Sequence, residues 1–221
     1  IMAILLLKED AIMKKIDIAL LAGLVIAIII SNLSAFADKY SDIKSSVIRL
    51  HILANSDSES DQALKLKVRD EILKQTADLF DDNLSFDETE KRVAKNLDVF
   101  EEIARETILS NGYDYPVKCR LVNMEFNDRQ YDDFTLPAGR YDALRIEIGD
   151  ARGHNWWCVM YPPLCLPAAE DIEQYSDIFT PDEIKMLKEP GRYKIKFKIV
   201  ELIEKLKNFL EGKDKTIVLE K

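Results

Sequence analysis

The sequence predicts an α+β fold, an antiparallel sheet with helices packed on one face, forming a single domain after an N-terminal signal segment. Three observations predict it. One strand-like segment is followed by two stretches of helical period, and then the apolar period changes to two. No internal repeat, Gly/Ser linker or low-complexity tract divides the chain. Its 221 residues, 47% of them hydrophobic, suffice for one sizeable core.

The first element of that domain is the strand Ser46 to Ala54, "SVIRLHILA", alternating and rich in β-branched residues, which Asn55-Ser56-Asp57-Ser58 breaks. Ser58 with Asp61 then opens a helix whose Leu64, Val68, Ile72, Leu73, Ala77 and Phe80 share one face. A second helix opens at Ser85 with Glu88, buries Val93, Leu97, Phe100, Ile103 and Ala104, and stops at Asn111-Gly112. In "YPVKCRLVNMEF" the apolar parity switches between Leu121 and Val122, which predicts a strand with a bulge there. "YDALRIEIG" and "NWWCVMY" read as a hairpin joined through Gly149 to Gly153. Ala168 to Tyr175 reads as helical, and Thr180-Pro181-Asp182-Glu183 opens a short helix to about Lys188. Tyr193 to Ile199 alternates with Lys194, Lys196 and Lys198 and reads as a strand, followed by a helix.

Ahead of the domain, Lys14 and Lys15 precede an apolar run, Ile18 to Ile30, and small residues follow to Ala35-Phe36-Ala37. That order of basic, apolar and A-x-A segments is that of a secretory signal, with Ala35 and Ala37 marking the cleavage point. The 13-residue run would cover roughly 20 Å of a ~30 Å hydrocarbon core. Export with cleavage is therefore favoured over an uncleaved anchor that would leave the protein membrane-associated. The division expected is 1–12 as a misassigned start before Met13, 13–37 as signal peptide or anchor, and 38–221 as the exported domain. With 31 basic against 40 acidic residues the chain carries −9, and residues 1–37 hold three of each sign. A long-range attraction to phosphate backbones is missing, so no nucleic-acid partner is expected.

Only two histidines and three cysteines offer nucleophile or metal chemistry. No ligands stand in tight local pairs, so no metal and no cofactor are expected. A Cys-His cell-wall hydrolase or transpeptidase would need Cys158 as thiolate with His51 or His154 as base. Against it, Cys158 and Cys165 flank Pro162-Pro163 and in an exported protein can close a small disulfide loop, worth roughly 2.5 kcal/mol. Cys119 is then a small buried hydrophobe. Trp156 and Trp157, adjacent on a strand, must point to opposite faces, one into the core and one to the surface. The surface tryptophan is either an interface anchor or covered by the chain itself. Asn55, Ser56 and Asp57 are turn and cap formers or a rigidly presented recognition group. The lysine row is a solvated face or edge strand, or a contact with an anionic membrane or an acidic partner.

Two blocks, "VIRLHILANSDSESDQALKLKVRDEIL" and "LPAGRYDALRIEIGDARGHNWWCVMYPPLC", resemble the signature segments of the stage II sporulation protein R family of endospore-forming bacteria. The resemblance runs from about Ser46 to Cys165, departing where Ala151 replaces an expected glycine and where Asn127 to Asp132 matches weakly. It implies a non-enzymatic signalling protein exported from the forespore into the intermembrane space. There it would activate a membrane-embedded aspartic protease that cleaves the mother-cell sigma-E precursor. No small-molecule substrate is expected. On this view Arg49, His51, Asn55, Asp57, Trp156 and Trp157 are candidates for the contact surface toward the protease, an assignment the resemblance itself does not supply.

Overall fold

The structure is a computed structural model that describes residues 2–80, 84–131, 133–164, 172–211 and 217–218. It divides into two compact units, 1–40 and 41–221. The first consists of most of α1 (Met2–Ser45). Within α1 the stretch Lys15–Ser45 has a mean hydropathy of 2.4 over its most apolar window and is long and apolar enough to cross a membrane. Signal segments and anchors share that property. The helix does not break after the 13-residue apolar run but continues through Ala35 and Ala37, so the helical length exceeds what the run alone indicated.

The second unit is α+β. After β1 (Ile48–Leu53) come α2 (Glu59–Gln75), α3 (Phe86–Lys95) and α4 (Leu97–Ser110). Then follow β2 (Val117–Phe126), the short pair β3 (Arg129–Gln130) and β4 (Thr135–Leu136), β5 (Gly139–Ile148) and β6 (Asn155–Tyr161). The chain finishes with α5 (Pro181–Lys188), α6 (Pro190–Glu211) and β7 (Ile217–Val218). Three expected caps are present: Ser58 accepts from the Asp61 N–H, Ser85 and Glu88 form a capping box, and so do Thr180 and Glu183. Each satisfies amides that the first helical turn leaves without partners.

The main sheet runs β6-β1-β5-β2-β7. On one face Leu50, Ile52, Leu121, Leu144 and Ile146 pack against Leu64, Val68 and Ile72 of α2, Val93 of α3, and Phe100 and Ile103 of α4. That is the main core.

Four local expectations need correction. The hairpin of β5 with β6 does not exist: β6 pairs antiparallel with β1, and β1 pairs parallel with β5, so the sheet is mixed. The cause lies in the Gly149 to Gly153 turn, which crosses the end of β1. The Gly153 amide donates to the Ala54 carbonyl at 2.9 Å and the Asp150 amide to Asn55 Oδ1 at 3.0 Å, which delivers β6 to the far side of β1. Both glycines are required, because a Cβ on Gly149 (φ +58°) or Gly153 would sit 2.2 Å from Asn55 Oδ1 or the Ser56 carbonyl oxygen.

Second, β2 pairs with β5 in continuous register from Val117 to Phe126, without a bulge. The parity switch arises because Val122 and Phe126 are buried on the opposite face. Third, the expected second helix is two, broken at Asn96 (φ −108°, ψ 20°), whose side chain donates to the Arg92 carbonyl at 2.7 Å and competes with helical continuation. Fourth, Tyr193 to Ile199 is helical throughout, so the lysine row lies on α6 and not on an edge strand. The predicted helix from Ala168 falls partly outside the described residues, and Ile172–Tyr175 forms a 3-10 turn.

Candidate functional site

Alternation along β1 sends Arg49 and His51 to the sheet face away from α2, α3 and α4. Register then decides their neighbours. His51 lies beside Trp157 of β6 and Arg145 of β5, and its ring stacks on Trp157 with centroids 3.9 Å apart and planes 6° apart. Phe126, from β2, meets Trp157 edge-on at 4.9 Å.

Arg49 is 1% exposed. Its guanidinium carbon sits 4.1 Å from the centroid of Phe126 and 5.1 Å from that of Tyr141. Nη2 donates to the Tyr131 hydroxyl at 3.0 Å, while Nε and Nη1 have no acceptor among the described residues. Buried guanidinium groups are normally paired, and leaving one short of acceptors is costly. Arg49 and Trp157 border a concavity of about 390 Å3 with Glu125, Phe126 and the Asn127 to Arg129 segment.

Burial, reinforced by the Arg145 and Arg49 charges, lowers the pKa of His51 to about 4. The imidazole is neutral at pH 7. Next to this cluster the face opens to solvent with Lys118, Arg120 and Arg145, the last two ion-paired to Glu147. Arg120, Arg145, Phe126 and Tyr131 were missed as site residues from sequence. The signal available was that Arg120 and Arg145 alternate with apolar residues, Cys119 and Leu121 in one strand and Leu144 and Ile146 in the other, which turns both away from the apolar face; that they pair in register could not be read from sequence.

The remaining predicted residues lie elsewhere. Asn55 and Asp57 stand in the turn after β1. Asn55 Nδ2 donates to Asp61 Oδ2 at 2.9 Å and Ser56 Oγ to the same oxygen at 2.5 Å. Asp61 is buried, which alone would raise its pKa, but these hydrogen bonds outweigh burial and hold its carboxyl below the usual range. Asp57 bonds the backbone and ring of His154, and those bonds likewise lower its pKa. Trp156 faces the helices, with the Arg69 guanidinium 4.3 Å from its ring centroid. Ala35 and Ala37 lie within α1.

Cys158 is buried in the core on the helix side, level with Leu50, whereas His51 faces the opposite side and His154 sits in the exposed turn. The nucleophile and base of a Cys-His enzyme are therefore not brought together. Cys119 is a free, buried cysteine whose thiol pKa burial pushes well up. Cys165 lies outside the described residues, and no group of three metal-ligating side chains occurs among the described ones.

Residues 44–171 match the family model of stage II sporulation protein R. The chain is 37% identical over 123 residues to stage II sporulation protein R of Bacillus subtilis (strain 168), which covers 56% of this chain and 55% of that relative. It thus spans about half the length of the curated relative it matches. No solved structure matches significantly. The family match extends over more than half of the chain, including every strand of the sheet except β7, and the protein belongs to the stage II sporulation protein R family, with a function in sporulation.

Proposed function

We propose that this protein is an exported forespore signal that activates a membrane-embedded aspartic protease of the sporulation septum and so triggers processing of the mother-cell sigma-E precursor. Family membership and the apolar, signal-like N-terminal helix support the sporulation setting and export. The single observation that carries the ligand reading is the second sheet face. There a half-buried tryptophan, Trp157, stacks on His51, and across the strands beyond it the same face carries Arg145, Arg120 and Lys118, on a chain whose net charge is −9.

A basic surface with an aromatic anchor suits a partner that presents carboxylates, which would meet Lys118 and compete with Glu147 for the guanidinium groups of Arg120 and Arg145. Activation then requires only that the chain bind the active state of the protease better than the inactive one. A Cys158–Cys165 bond belongs to the same reading, as a staple from β6 to the segment that follows it rather than as chemistry.

Co-expression of the chain, the cognate protease and the sigma precursor in a non-sporulating host tests this. Processing should depend on the chain, and equal processing without it would sink the proposal. In the same host a Cys158→Ala, Cys165→Ala variant should still support processing, with reduced stability. Abolition by Cys158→Ser alone would favour the cell-wall enzyme.

A further inference from the structure

Helix α6 has two different sides. Tyr193, Phe197, Val200 and Glu204 point inward: Val200 is buried and Glu204 pairs with Lys44 Nζ at 2.7 Å. The outer side carries Ile195, Ile199, Leu202, Ile203, Leu206 and Phe209, all exposed, with Ile195, Leu202 and Phe209 at 77%, 69% and 74%. At 3.6 residues per turn these six fall within an arc of about 120°. Lys194, Lys198 and Lys205 line one border of that arc, and Lys196 and Lys207 line the other.

We propose that α6 is an interfacial helix that lays this outer side on an anionic lipid bilayer. The arrangement is the one such a surface needs. The apolar arc enters the boundary between headgroups and acyl chains, and lysines on both borders extend their stems along it while the ammonium groups reach lipid phosphates. The helix holds six basic and three acidic side chains, +3, in a chain of −9. Lys198 and Lys205 share Glu201 at 2.8 Å each, and Lys205 also lies 3.5 Å from Glu125 of β2, so both lysines stand on the same border.

Charge also decides between a membrane and a second copy of the chain. The 4-3-4-3 spacing of Ile195, Ile199, Leu202, Leu206 and Phe209 matches a coiled-coil seam. The positions flanking that seam are Lys196, Lys198, Ile203, Lys205 and Leu210. They offer a second copy only like charges and apolar groups, whereas an anionic surface complements them. This inference does not rest on protease activation, and either can fail alone.

The test uses the full chain with an environment-sensitive fluorophore, NBD, on Leu206→Cys. It is reconstituted into phosphatidylcholine vesicles with or without about 30% phosphatidylglycerol, enough to supply a negative surface potential. Label on Glu102→Cys in α4, half-exposed, serves as the control, and the unsubstituted chain gives the background. NBD at 206 should brighten several-fold and shift to the blue in the anionic vesicles only, while NBD at 102 should not change.

Each lysine contributes roughly a fivefold factor to partitioning onto such a surface. Lys194→Gln, Lys198→Gln, Lys205→Gln should therefore return the signal at 206 to its value in neutral vesicles. Salt at about 1 M, where the screening length is about 3 Å, should do the same to the chain with native lysines. A water-like signal at 206 in anionic vesicles would overturn the proposal. So would equal brightening in neutral vesicles, or brightening in detergent without lipid that grows with protein concentration.

Discussion

The two faces of the sheet are made from the same strands and differ in what they hold. Toward α2, α3 and α4 the strands present Leu50, Ile52, Cys119, Leu121, Leu144 and Ile146, closely packed against helices. On the other face β1, β2 and β5 present Arg49, His51, Arg120 and Arg145 among the rings of Phe126, Tyr141 and Trp157. The first face gains stability from burying area. The second spends some of it, because Arg49 is buried with two nitrogens lacking acceptors and His51 is held neutral. Retained polar cost of this kind, beside an open basic surface, is what the proposed contact site requires and a core does not.

Substitutions sharpen the contrast in order of effect. Leu144→Ala on the helix face should lower unfolding free energy by about 3 kcal/mol in urea titration, since it opens a cavity in the main core. A loss under about 1 kcal/mol would show that this face is not the core it is taken to be.

On the other face the largest stability effect is set by pH. The folded-state pKa of His51, about 4, lies below the ordinary value near 6.5, so the fold favours the neutral ring. That contribution is complete above pH ~6.5 and is lost as pH falls through about 4. The difference in stability between the wild type and His51→Phe should therefore shrink in the wild type's disfavour by up to about 3 kcal/mol over this window. A pH-independent difference would mean that His51 titrates normally.

Ala151→Gly should raise stability by about 1 kcal/mol, seen as a higher Tm, because Ala151 adopts φ +52°, where a Cβ is penalised. Smallest in stability is Arg49→Met, which should leave the unfolding free energy within about 1 kcal/mol of the wild type while reducing precursor processing. A loss of several kcal/mol would instead make Arg49 a structural residue.

The local signals in the chain were mostly legible. The caps at Ser58, Ser85 and Thr180, the stop at Gly112 and the opposite facing of Trp156 and Trp157 follow from side-chain chemistry within a few residues. Strand order did not, because it depends on the Gly149 to Gly153 turn bonding to Ala54 and Asn55, a contact between residues nearly one hundred apart. The alternation of Tyr193 to Ile199 misled for a different reason: over fewer than two helical turns, periods of 2 and 3.6 cannot be separated. Arg49, His51 and Trp157 could be named from sequence. Their convergence with Arg145 and Phe126 needed the register of β1 between β5 and β6.

Under the proposed function the partner binds the open, basic part of the second face. The measurement that tests this is sigma-precursor processing in the co-expression host with Lys118→Glu, Arg120→Glu, compared with Lys67→Glu on the helix side as control. Lys118 and Lys67 are exposed and Arg120 is half-exposed, so thermal unfolding should keep all forms folded. Processing should be lost with the first variant and kept with the control. Full processing by a folded Lys118→Glu, Arg120→Glu protein would contradict it.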